Sequence, residues 1–238
     1  MKTYIDPTKV KRRAMIANLT SVGGLMMLLG GVILPLFVPG LHQEEQVLML
    51  IGMGTSMVGI YLANRWVRKP RPEDSLDLAL KSLNDSHHLF HYPSLPCEHV
   101  LLTPFGVEII EVFNLAGDFS YKDGRWKEKM NVGRALRYIV EERLGDPTRT
   151  AGELEEYLRD RFHQLLGNEQ PVPIQSVVTF THPAVRLEVK NPPLPVCRLD
   201  KLKGHIVKKT AKMDTEIYDK LDRHLRSLTI GEEPLNIG

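Results

Sequence analysis

Two apolar runs separated by only eight residues constrain this chain more than any other feature. Ala14–Val38 is interrupted by no clearly polar residues except Asn18, Thr20 and Ser21. At a rise of about 1.5 Å per residue, roughly twenty helical residues cross a hydrocarbon core of about 30 Å, so this run is long enough. The second run, Val47–Ala63, is shorter but continues through Trp66; with Tyr61 it supplies aromatics suited to a membrane interface. The short link Pro39–Gln46 dictates an antiparallel hairpin. Glycines at 23, 24, 30, 31, 52, 54 and 59 permit the two backbones to approach closely.

Charge gives the hairpin an expected orientation. Lys9, Lys11, Arg12 and Arg13 flank the first run, Arg65, Arg68 and Lys69 flank the second, and the link contains no Lys or Arg. The positive-inside rule then puts both chain ends in the cytoplasm, making a two-span protein of the cell membrane with the lipid bilayer as its first partner. A cleaved signal peptide is the rival, but the run is long and no small-x-small cleavage motif follows it. A buried globular hairpin is the other alternative, and the charge asymmetry argues against it. Of the 31 Lys and Arg, eight lie before position 70, against three of the 29 acidic residues. The remaining chain is slightly acidic, so the basic pI reports the hairpin flanks and not a nucleic-acid footprint. Cys97 and Cys197 are too few for a disulfide framework and read as free thiols.

Pro70-Arg71-Pro72 breaks the second helix, dividing the chain into a hairpin over 1–70 and an α/β domain over 71–238. The spacing of Leu76, Leu80 and Leu83 predicts a helix over Glu73–Asn84, with a strand around Leu89–Tyr92 after it. Val100–Thr103 and Val107–Phe113 read as strands joined by the turn Pro104-Phe105-Gly106. Asp118–Tyr121 reads as a further strand turning at Asp123-Gly124. A helix capped by Asn131 and a second helix opened by the Thr150–Glu153 capping box should follow. Ile174–Thr181 and Val185–Val189 have strand character, Asn191–Pro195 is a loop, and Leu199–Lys208 and Asp214–Leu228 have helical spacing. The expected architecture is a mixed central sheet flanked by helices.

Glu111 interrupts the apolar strand Val107–Phe113, and a carboxylate there is costly unless it meets a metal, a cation or hydrogen-bond donors. Both readings of Glu111, metal ligand and paired carboxylate, stand. The run E-H-V-L-L-T-P-F-G-V-E-I-I-E-V-F-N-L-A-G from Glu98, with Trp126 downstream, resembles the nuclease-related domain (NERD) family. That family shows Asp-His-Val-Val, Pro-x-Gly-Val, Ile-Glu-Val-Lys-Asn, then Gly and a later Trp.

The resemblance implies a restriction-endonuclease-like fold in which carboxylates hold a divalent cation that activates water for phosphodiester cleavage. Carried over residue by residue, it marks Glu111, Glu98 and Glu73 as the remnant catalytic set. Glu98 and Glu111 are the metal ligands, and Mg²⁺ is the expected ion for all-oxygen ligands. Glu73 has the alternative role of helix N-terminal charge, and Glu98 that of a solvated strand end. Glu98 stands where the family has Asp, and Phe113 where it has Lys, so the implied site lacks its ammonium. Lys122 and Lys127 follow closely enough to be considered as substitutes. The expected function is a degenerate nuclease site that binds nucleic acid or a protein partner at the cytoplasmic membrane face. A working Mg²⁺-dependent nuclease and a structural subunit of a membrane complex are the alternatives. His87, His88, His91 and His99 read as packed strand histidines, although His99 could orient Glu98. The lysines of Lys201–Lys212 read as a solvated helix face.

Overall fold

The computed structural model describes residues 1–37, 42–130, 143–167, 171–206 and 212–231. The chain forms two compact units, one built from residues 1–6, 72–129 and 144–238, the other from 7–71 with 130–143.

In the helical unit, α1 (Pro7–Phe37) and α2 (His42–Trp66) run antiparallel. Val10, Ala17, Gly24 and Gly31 are the buried residues of α1, spaced seven apart, and Gly52, Gly59 and Trp66 repeat that interval on α2. A seven-residue repeat keeps one seam facing the partner helix. Small residues set its depth, because a Cβ on Gly24 would run into the backbone of Ser56. One on Gly52 would strike Leu28, and one on Gly59 would strike Ser21. Gly23 and Gly54 meet nothing and play no part in the seam. Thr20 and Ser21 return their hydroxyls to the carbonyls of Ile16 and Ala17, so neither leaves a stray donor. The apolar side chains face outward instead: Leu19 is 73% exposed and Phe37 78%. Both helices are long and apolar enough to cross a membrane.

The α/β unit begins with β1 (Lys2–Ile5), a strand not expected from the sequence, so the helix pair interrupts this unit between β1 and α3 (Pro72–Leu80). β2 (His88–His91), β3 (His99–Thr103) and β4 (Gly106–Phe113) follow. A hairpin of β5 (Gly117–Lys122) and β6 (Arg125–Glu128) comes next, then α4 (Pro147–Leu166), β7 (Ile174–Phe180), β8 (Val185–Val189) and β9 (Val196–Arg198). α5 (Leu199–Ile206) and α6 (Thr215–Ile230) end the order. The main sheet runs β1-β2-β3-β4-β7-β9, with β2–β3 and β3–β4 antiparallel and the other pairs parallel. A smaller sheet runs β6-β5-β8. This is the mixed α/β architecture expected, with helix, three strands, helix and strand present as α3, β2–β4, α4 and β7.

Alternation along the strands divides the core into two layers. Phe90, Val100, Leu102, Val107 and Ile109 pack under Leu154, Leu158 and Phe162 of α4 and Ile217, Leu221 and Leu225 of α6. Leu89, Leu101, Ile110 and Val112 face the opposite way, onto Leu76 and Leu80 of α3 and Leu202 and Ile206 of α5. Each such fully buried side chain stabilises the fold by about 1.5–3 kcal/mol before entropy is counted.

Local chemistry explains several boundaries. Gly106, at φ +145°, turns β3 into β4 where a Cβ would collide with the Pro173 carbonyl. The Thr103 hydroxyl donates to Gly106 O at 2.9 Å and accepts from Phe105 N at 3.1 Å. Asp123 and Gly124, at φ 51° and 74°, form the expected tight turn, and Trp126 then continues as β6. The helix expected from Thr150 starts earlier. Asp146 caps it by accepting from Arg149 N, and Pro147 occupies the first turn, where its missing N–H costs nothing. α3 stops at Leu80, short of the expected Asn84. The helix expected after Asn131 lies outside the described residues.

Candidate functional site: the β3–β4 carboxylates

β3 and β4 pair from Thr103↔Gly106 to Val100↔Ile109. Continued by two residues, the same register sets His99 against Ile110 and Glu98 against Glu111. On its β2 side this backbone is held by Tyr92 N, which donates to Glu98 O at 2.6 Å, while the paired β3–β4 register ends at Val100↔Ile109. Residues opposite one another on an antiparallel pair have Cβ atoms about 4.5–5.5 Å apart on one face. Both carboxylates are half-buried.

Cys97 gives an independent sign of this convergence. Its buried thiol is pushed up to about 12, first by burial, then by the charge of Glu111 and that of Glu98. Two carboxylates bearing on one thiol is a local concentration of negative charge, which disfavours the thiolate. Alternation gives Glu111 the face of Ile109 and Phe113. It stands where the α4–α6 layer gives way to the core beneath the small sheet.

Glu73 belongs to the other layer. It opens α3 one turn before Leu76, is 2% exposed, and its Oε2 accepts from the Tyr92 hydroxyl at 2.7 Å. Tyr92 reaches it because a φ of 54° ends the regular alternation of β2. One turn along α3, Asp77 accepts from Thr3 at 2.8 Å and lies 3.4 Å from His91 Nε2. His91 Nδ1 in turn lies 2.8 Å from His99 Nδ1. Burial pulls the Asp77 carboxyl upward, but its contacts with His91 and Thr3 outweigh that and hold it below the usual carboxylate range. His91 and His99 are directly opposed on β2 and β3 and fully buried, as packed strand histidines.

Phe113 is 8% exposed and its ring lies 5.7 Å from that of Phe180. Phe180 also meets Phe119 at 5.5 Å and Trp126 at 6.2 Å, and Trp126 meets Tyr121 at 5.3 Å. Five aromatic rings thus join β4 and β7 of the main sheet to β5 and β6 of the small one. Lys122 and Lys127 do not share this interior. On β5 and β6 the inward residues are Phe119, Tyr121 and Trp126, and register puts Lys127 opposite Ser120, on the outer face. Lys122 alternates onto that same outer face and pairs with Glu188 at 2.8 Å.

A second buried ionic group lies beneath α6, unannounced by any sequence motif beyond the i, i+4 spacing of Asp222 and Arg226. Asp222 meets His88 Nδ1 at 2.5 Å and Arg226 Nη2 at 2.6 Å. Burial raises its pKa, but those two partners outweigh it and hold the carboxyl below its ordinary range. Cys197, pushed up to about 11 chiefly by burial, sits in the α3–α5 layer, across the sheet from Cys97. Among the described residues, no group of three or more His, Cys, Asp and Glu is arranged to hold a metal ion.

A family model described as the nuclease-related domain matches residues 71–181. No curated protein and no solved structure matches the chain. The matched span contains α3, the β2–β4 ladder with Glu98 and Glu111, the aromatic joint and β7. Over residues 71–181, just under half of the chain, the sequence is similar to the nuclease-related domain (NERD).

Proposed function

We propose that this chain is a membrane-anchored NERD protein whose nuclease site is degenerate, and that it binds nucleic acid without cutting it. The observation that carries the reading is Phe113. The position where the family resemblance expects an ammonium beside the carboxylates holds a ring packed against Phe180 inside a core. A buried aromatic adds desolvation and no positive charge, so neither the attacking water nor the phosphate gains a cation from it. A working nuclease with a relocated lysine is disfavoured by the outward faces of Lys122 and Lys127 and by the Lys122–Glu188 pair.

Glu98 and Glu111 remain, and they are the residues that would hold Mg²⁺, leaving its other positions to water or a phosphate oxygen. Two carboxylates fit that ion as a partial shell; Glu73 is engaged by Tyr92 in the opposite layer. The outward apolar surface of α1 and α2 and their basic flanks support anchoring with both helix ends cytoplasmic. A role as a structural subunit of a membrane complex remains the third reading, carried by no specific contact.

The test uses full-length protein in mild detergent with labelled DNA and RNA, with and without Mg²⁺. Expected are salt-dependent binding and intact substrate on a denaturing gel, with Mg²⁺-enhanced binding reduced in Glu111→Gln. Cleavage by the wild type that disappears in Glu111→Gln would overturn the degenerate-site reading.

A further inference from the structure

Between α4 and α6 lies a cleft of about 250 Å³ lined by Leu165, Lys220, Arg223, His224 and Ser227. It is remote in kind from the strand carboxylates: no acidic side chain lines it, and α6 lies beyond the residues that match the family. Positions 220, 223, 224 and 227 form one helical stripe, beside the face that buries Ile217, Leu221 and Leu225. The wall of the cleft is mostly apolar, and the cationic side chains beside it are placed by the same spacing that docks the helix.

We propose that this cleft binds a phosphate group carried on a soluble or lipid ester. Arg223 uses Nε on the carbonyl of Asp219, while its terminal nitrogens have no other contact among the described residues. That leaves a planar fork suited to two phosphate oxygens. Lys220 supplies a second cation; it is half-buried, pairs with the exposed Glu216 at 3.2 Å and has a further contact, and a doubly charged ligand competes with both. Ser227 at present gives its hydroxyl to the His224 carbonyl at 2.8 Å, a bond it can exchange for one to an oxyanion. The volume holds a phosphate and the first group attached to it, below the roughly 300 Å³ at which sites for larger ligands begin. Leu165 and the aliphatic stems of Lys220 and Arg223 provide the apolar wall. Burial, and after it the charge of Arg161, holds the His224 pKa below its ordinary value. An anion in the cleft reverses the second influence, so His224 reports occupancy.

Full-length protein in neutral detergent is titrated with inorganic phosphate, with a nucleoside 5′-monophosphate, and with acetate as the anion control. A separate arm uses neutral vesicles with and without a phosphate-monoester lipid. The His224 ring is followed by NMR across pH. Saturable binding of either phosphate source, with an upward shift of the His224 titration, is expected. The doubly substituted Lys220→Gln, Arg223→Gln protein should bind about tenfold or more weakly, while Arg223→Lys should lose part of the affinity and keep the fold. The soluble and vesicle arms identify the source. Equal response to acetate, unchanged affinity in the double variant, or no saturable response in either arm would overturn the proposal.

Discussion

Two clusters of ionisable side chains on the six-stranded sheet differ in how their members meet, one against α3 and one at the start of β3. On the α3 side, hydrogen-bonding partners meet: Asp77 with His91, His91 with His99, and Glu73 with the Tyr92 hydroxyl. Each contact gives a buried polar atom a partner, which is what burial requires of it. On the α4–α6 side, where Asp222 meets the unlike His88 and Arg226, the β3–β4 register extended by two residues also sets the like carboxylates Glu98 and Glu111 near one another, beside a thiol that both of them raise. Like charges directly opposed destabilise a strand pair by themselves. The first arrangement serves the fold; the second is the one that the proposed cation site would use.

The most damaging way to test this contrast is to restore the ammonium that the family resemblance expects. Phe113→Lys removes one ring from a five-ring joint and buries a charge there. It is expected to cost about 4 kcal/mol or more, read as a lowered denaturation midpoint. If the variant instead stays as stable as the wild type and cuts DNA with Mg²⁺, the position is catalytic space and not core. Next in size is His91→Ala, which opens a cavity and strips His99 of its opposed ring. A loss of about 2–3 kcal/mol is expected, with nucleic-acid binding retained by the folded fraction. Loss of binding without loss of stability would move the α3 network into the functional site.

Asp222→Asn comes third, at about 2 kcal/mol near neutral pH. The folded pKa of Asp222 lies below its ordinary value, so its contribution is complete above the unfolded carboxylate range. It fades as pH falls through the lower folded value. The stability gap between wild type and Asp222→Asn should therefore be constant from pH 5 to 7 and close only in stronger acid. A gap already closing above pH 5 would mean that the Asp222 carboxyl is not held below its ordinary range.

The strands of the central sheet were legible because branched apolar residues and the Pro-Phe-Gly turn are local signals. The glycine seam of α1 and α2 was legible as a supply of small residues, although only register chose Gly24, Gly52 and Gly59 over Gly23 and Gly54. β1 was hidden because Lys2–Ile5 is a short edge strand whose pairing partner, β2, lies more than eighty residues away. The register of β3 and β4 could be anticipated from the turn between them, and the nearness of Glu98 to Glu111 follows when it is extended past Val100 and Ile109. The partners of Glu73 and Asp222 could not, because Tyr92 leaves the strand alternation and α6 docks over a long sequence separation. Outward placement of Lys122 and Lys127 follows from β6, which an isolated four-residue pattern does not announce.

The smallest effect tests the comparison most directly. Glu111→Gln keeps the shape of the side chain while removing its charge and turning one acceptor oxygen into an NH2 donor. Without divalent cation, relief from the nearby Glu98 charge offsets the loss of Glu111's own contact, so stability should change by no more than about 1 kcal/mol. It should also lower the Cys97 pKa from about 12, though not to an ordinary thiol value, because burial is the larger cause. Thiol alkylation rates measured from pH 8 to 11 read that change, with Cys197 as the internal reference on the opposite face. Mg²⁺ added to the wild type should move Cys97 in the same direction, since a cation between the carboxylates offsets the charge that the substitution removes. In Glu111→Gln, Mg²⁺ should then have little further effect. A strongly destabilised Glu111→Gln with an unchanged Cys97 titration would mean that Glu111 is a structural carboxylate, and that the two clusters do not differ in kind.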